Sequence, residues 1–118
     1  MEKRWRVVST KSDAEPWWFF DGWEKDIMEE WTFKDKHDAI EKYIKDIQSF
    51  QEKFPHKKMK KYHSIAFWDK REVAFCEACD DDLQVYHGLI LFEDDKPMVI
   101  IDDSETAYKI DESMKTNR

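Results

Sequence analysis

Glycine occurs only twice in the 118 residues, at Gly22 and Gly88, proline three times and cysteine twice. Glycine so sparse leaves no Gly-rich loop to cradle a phosphate, and there is neither a nucleophile elbow nor a His-Glu-x-x-His helix. No apolar run approaches the ~20 residues needed to cross a bilayer, which excludes a spanning helix. No internal repeat or low-complexity linker divides the chain. The first residues, Met-Glu-Lys-Arg-Trp-Arg, turn polar at once and do not read as a secretory signal. The expected setting is the cytoplasm, where both cysteines would stay reduced.

What the chain does have is bulk and charge. Aromatic residues make up 15%, with six Trp and eight Phe, too much apolar surface for a disordered chain. The length fits one domain, residues 1–118, with an expected frayed tail from about 110. Charged residues make up 40%, 27 acids against 20 bases, for a net −7. Residues 1–76 hold sixteen bases and fifteen acids, net +1, whereas residues 77–118 hold four and twelve, net −8. A polyanion could therefore dock only on the first part.

The clearest periodic element is apolar at Ala39, Ile40, Tyr43, Ile44, Ile47, Phe50 and Phe54, steps of three and four that make one stripe of a helix. Asp35 and Asp38 supply acceptors at its start, and Pro55 stops it. A helix over 36–54 would run about 28 Å at 1.5 Å per residue, enough to lie across a sheet. Trp5 to Thr10 reads as a strand, and 23–33 fits either a helix or a strand, with Thr32 and the aromatics favouring a strand that ends near Phe33. Ser64–Trp68 and Val73–Cys76 read as a hairpin, as do Tyr86–Phe92 and Met98–Ile101 around Asp94-Asp95. Asp80 to Gln84 is expected to start a helical turn, and a short helix is expected to run past Asp103 to Tyr108. The fold class is α+β: an antiparallel sheet of four to six strands with the long helix packed on one face.

Three groups of residues suggest chemistry. Trp17, Trp18, Phe19, Phe20 and Trp23 flank the turn Asp21-Gly22, and each ring buries on the order of 150–250 Å² if enclosed. They are either core or an interface for a protein partner or a second copy. Adjacent residues of an extended segment face opposite ways, so Trp17 and Trp18 cannot both enter one core. Lys57, Lys58, Lys60 and Lys61, followed by Tyr62, are either a solvated connector or a nucleic-acid contact with a stacking ring. Cys76 and Cys79 have the spacing of half a zinc site, which His63 and His87 would complete. Alternatively they pack as small hydrophobes at a strand end. The acids Glu77 and Asp80 to Asp82 attract a cation but disfavour the thiolate that redox chemistry needs. Asp80-Asp81-Asp82 and Asp94-Asp95 offer oxygen ligands, yet neither has the pattern of a calcium loop, so they read as solvated turns.

Two stretches carry a resemblance: Pro-Trp-Trp-Phe-Phe-Asp-Gly-Trp-Glu at 16–24, and Cys-Glu-Ala-Cys-Asp-Asp-Asp-Leu-Gln-Val-Tyr-His at 76–87. Together they resemble domain of unknown function 1033, a family of small bacterial cytoplasmic proteins of about this length. The resemblance implies no catalytic residue, and members have been labelled DNA-binding proteins. The expected function is a non-enzymatic cytoplasmic binding module without a cofactor or a membrane partner. It would use the aromatic patch at 16–24, with nucleic-acid binding through 57–61 or a structural zinc at Cys76 and Cys79 as alternatives.

Overall fold

A computed structural model describes residues 3–115. In chain order the strands and helices are β1 (Trp5–Ser12), β2 (Ile27–Phe33), α1 (Lys36–Lys53), β3 (His56–Met59), β4 (Ile65–Trp68), β5 (Val73–Cys76), β6 (Asp81–Gln84), β7 (Tyr86–Glu93), β8 (Lys96–Pro97) and α2 (Ser104–Lys115). Single 3-10 turns occupy Trp23–Asp26, Lys61–His63 and Ile100–Asp102. The main sheet is antiparallel in the order β2-β1-β7-β4-β3, with β8 paired to the end of β7. Strands β5 and β6 form a ribbon of their own. The fold is α+β, and α1 packs on one face of the sheet.

The middle strands are apolar on both sides because both sides are covered. On β1 and β7, Val7, Leu89 and Leu91 join Ile65 and Phe67 of β4 beneath Ala39, Ile40, Tyr43 and Ile47 of α1. The alternate residues Val8, Ile90 and Phe92 form a second cluster on the opposite face, against Phe19, Trp23 and Ile27. This explains the unbroken run Leu89-Ile90-Leu91-Phe92, which a half-exposed strand would not carry. Burying a side chain such as Ile47 or Leu89 contributes roughly 1.5–3 kcal/mol.

Helix α1 begins where the Asp35 carboxylate accepts the His37 backbone N–H at 2.8 Å, and it ends at Phe54, extended ahead of Pro55. The fully buried Tyr43 is its one deep polar group, and burial pushes the phenol pKa up. Its hydroxyl reaches two carbonyl oxygens, His63 at 2.6 Å and Leu89 at 3.0 Å.

Several expectations change. The second helix does not fray near 110 but continues to Lys115, because Ile110 is fully buried and Met114 packs on the same core. The expected tail beyond Lys115 lies outside the described residues. The segments 64–68 and 73–76 are not a hairpin: β4 lies between β3 and β7, while β5 pairs β6. Asp81–Gln84 is a strand because it folds back on 73–76 rather than turning helically. The strand expected at 98–101 shrinks to Lys96–Pro97, and Ile100 enters the core from a 3-10 turn. The basic segment is in part an edge strand rather than a connector.

Candidate functional site: an aromatic surface beside a basic turn

The segment 16–24 crosses the sheet face opposite the helices. It lies close because Gly88 of β7 has no side chain: a Cβ there would sit 2.6 Å from Pro16 Cβ and 2.5 Å from Thr10 Oγ1. Pro16 and Trp17 are accordingly buried. Gly22, at φ 79°, makes the turn that reverses the chain. The Trp23 ring then lies parallel to Phe92 with centroids 5.7 Å apart, and Phe19 meets both rings edge-on.

The five aromatic residues thus divide. Trp17 is 4% exposed and is withdrawn from any contact surface, contrary to its expected place in the partner site. Phe19 and Trp23 are half-buried anchors. Trp18 and Phe20 face solvent at 49% and 61% exposure, their rings stacked 6.3 Å apart. The Trp18 indole N–H donates to Glu15 Oε1 at 3.1 Å, which fixes the ring without covering it. A cavity of about 200 Å³ opens beside them, lined among others by Phe19, Phe20 and Trp23 and by the charged residues Asp13, Asp21, Lys25 and Asp26.

The basic segment splits as well. Strand alternation turns Lys57 toward the helices, where its ammonium donates to the Met114 carbonyl at 2.7 Å and to the Gln51 side chain. Burial lowers its pKa. Lys58, Lys60 and Lys61 stay exposed. Lys61 and Tyr62 belong to the 3-10 turn, where Tyr62 and His63 both have positive φ, 59° and 52°. The turn is held by Ser64 Oγ donating to the Lys61 carbonyl at 2.6 Å and by Tyr43 reaching the His63 carbonyl. It brings Tyr62 to 6.4 Å from Phe19 and Lys61 Nζ to 5.7 Å from the Trp18 ring centre. Phe19 also has positive φ, 51°, so two of the five non-glycine residues in that region of backbone space among the described residues, Phe19 and Tyr62, meet here.

The zinc set is not assembled. Cys76 and Cys79 are joined to each other as a disulfide with Cα atoms 5.3 Å apart, where reduced thiols were expected. His87 Nε2 lies 2.8 Å from Glu72 Oε1 and its ring stacks on Phe54, while His63 lies near Asp111. Among the described residues no group of three or more His, Cys, Asp or Glu side chains could hold a metal ion. No helix among them is long and apolar enough to cross a membrane.

Gly88 and Tyr43 escaped the sequence reading. A lone glycine within an apolar strand does signal close backbone approach. Nothing in the sequence marks Tyr43 as the residue that holds the Lys61–His63 turn, since its spacing is that of any core position on α1.

No curated protein and no solved structure matches the chain. Residues 4–118 do match one family over nearly the whole length, including both the aromatic segment and the cysteine turn, and the chain belongs to that family, described as Protein of unknown function (DUF1033).

Proposed function

We propose that this is a non-enzymatic binding module of the cytoplasm whose contact surface consists of Trp18, Phe20, Tyr62 and Lys61. The observation that carries the reading is the stacked, solvent-facing pair Trp18–Phe20, held out by a segment whose other rings are sunk into the sheet. Exposed aromatics on a rigid base are the usual anchors of a protein interface. The flanking charges are of both signs: Lys61 lies over Trp18, and Asp13, Asp21, Lys25 and Asp26 line the adjoining cavity. Such a mixed rim suits a protein segment with an apolar side chain between charged ones. It suits a phosphate backbone less well, because the carboxylates repel it and Lys57 is turned away.

Nucleic-acid binding is the second reading, favoured by Lys61 lying over Trp18 with Tyr62 adjacent, a stacking platform with a cation. Light scattering and pull-down with the full chain test the first reading: Trp18→Ala and Phe20→Ala should abolish association while the fold stays intact. Association unchanged in both variants sinks it. Fluorescence anisotropy with a labelled single-stranded oligonucleotide at low salt tests the second, and binding that falls steeply with added salt would favour it over the first.

A further inference from the structure

We propose that the Cys76–Cys79 bond is a reversible thiol–disulfide exchange site, distinct from the aromatic surface, for a thiol that carries positive charge near its sulfur. The bond closes the turn of the β5–β6 ribbon, which hydrogen-bonds to itself and not to the main sheet. It spans only four residues, the loop length at which a cross-link restrains the unfolded chain least. It is therefore poorly placed as a structural staple. The inference rests here on the cytoplasmic setting proposed above, in which a disulfide is usually transient, formed in catalysis or redox sensing.

The two sulfurs are not equivalent. Cys79 is exposed, and Cys76 is partly covered. The backbone N–H of Cys79 donates to Cys76 Sγ at 3.2 Å. An incoming thiolate thus reaches Cys79 Sγ, forms a new S–S bond there, and pushes the electron pair of the old bond onto Cys76 Sγ, where that N–H stabilises it against the neighbouring carboxylates. A second thiolate attacks the added sulfur and releases Cys79 as thiolate. Two small thiols are oxidised to one disulfide, and both protein sulfurs take protons from water. Glu77, Asp80, Asp81 and Asp82 surround the turn and are exposed, so an anionic thiol is repelled and a cationic one drawn in.

Reduction leaves the base of the ribbon anchored, since Gln84 Nε2 donates to the carbonyls of Asp69 and Glu72 at 2.8 and 2.9 Å. The tip, where exposed Phe75 pairs with Asp82 and Cys76 with Asp81, is the part set free.

The test uses the oxidised full chain in cysteamine/cystamine buffers of varied ratio, with thiols alkylated at quench and counted by intact mass. The pair should open and close reversibly while near-ultraviolet circular dichroism of the core is unchanged, and an acid-trapped cysteamine adduct should map to Cys79. At low salt cysteamine should reduce it at least about threefold faster, relative to a reference disulfide peptide, than glutathione does. The gap should narrow in high salt and in an Asp81→Asn/Asp82→Asn variant. Cysteines that never join, a bond that opens only as the whole chain unfolds, adducts on Cys76, or equal relative rates for the two thiols would each overturn the proposal.

Discussion

The Lys61 ammonium lies over the Trp18 indole, 5.7 Å from its centre, so the basic turn and the aromatic segment form one surface although they are far apart in the chain. Each comes to it from a different side of the sheet's architecture. The aromatic segment is drawn down by Gly88, Ile90 and Phe92 of β7. The turn is positioned from beneath by Tyr43 of α1. A surface built this way separates the residues that hold it from those that touch a partner, and substitutions should resolve the two.

Trp17 and Trp18 are the sharpest pair for that purpose. Trp17→Ala empties a buried site and should lower stability by about 3–5 kcal/mol, read as an earlier urea midpoint. Trp18→Ala removes a ring that is half in solvent and should change stability by no more than about 0.5 kcal/mol, while association is lost. Equal destabilisation by the two would show that Trp18 is core as well.

Trp17 and Trp18 do part, one buried and one exposed, but the alternation of an extended segment is not the cause, since 16–20 is irregular rather than a strand. Helix α1 was legible almost to the residue: its stripe is wide, Asp35 caps it and Pro55 ends it, all local signals. The sheet order was not. Whether 64–68 pairs with its chain neighbour or with β7 is decided by burial on both faces of Leu89–Phe92, a long-range matter. Helix α2 was cut short because its buried stripe includes Thr106 and Ser113, small polar residues that carry little hydrophobic signal. The joint surface of Lys61 and Trp18 was hidden for the same reason as the sheet order, since each half is local but their meeting is not.

The helices are tied at their N-terminal ends by Lys36 and Asp103, 2.7 Å apart, and Asp103 also accepts from the Thr106 N–H and hydroxyl. The Lys36 ammonium, then Thr106, hold the Asp103 carboxyl pKa down to about 2. A depressed carboxylate contributes stability above its ordinary value near ~3.9 and loses it as pH falls toward the folded value. Asp103→Asn keeps a cap but not the ion pair, which is partly exposed. It should cost about 0.3–1 kcal/mol at neutral pH. Urea midpoints of variant and wild type should converge between about pH 4 and pH 2. A constant gap over that range would mean the carboxylate's charge plays no part.

Tyr43→Phe probes the turn from within the core. Removing the hydroxyl leaves the carbonyls of His63 and Leu89 without that donor and should cost about 1–3 kcal/mol. Because the same hydroxyl steadies the turn carrying Tyr62 and Lys61, association should weaken too. Ile47→Val, a fully buried change on the same helix costing about 0.5–1.5 kcal/mol, should leave association alone. If both variants weaken it alike, the effect is general loss of stability and not the turn.

Gly88→Ala addresses the other support. The added Cβ would lie within 3 Å of Thr10 Oγ1 and of Pro16 Cβ and Cγ. Thr10 could rotate its hydroxyl away, but the proline ring is rigid and is followed at once by the buried Trp17, so the segment must lift. Overpacking of this kind costs about 1–3 kcal/mol. Its particular signature should be local: Trp23 and Phe19 would lose their seats on Phe92, tryptophan emission would shift to longer wavelength, and hydrogen exchange would rise in 16–26 while α1 stays protected. Exchange that rises evenly through the whole sheet would mean that Gly88 serves the β1–β7 pairing itself, and the aromatic surface would then need another explanation for its position.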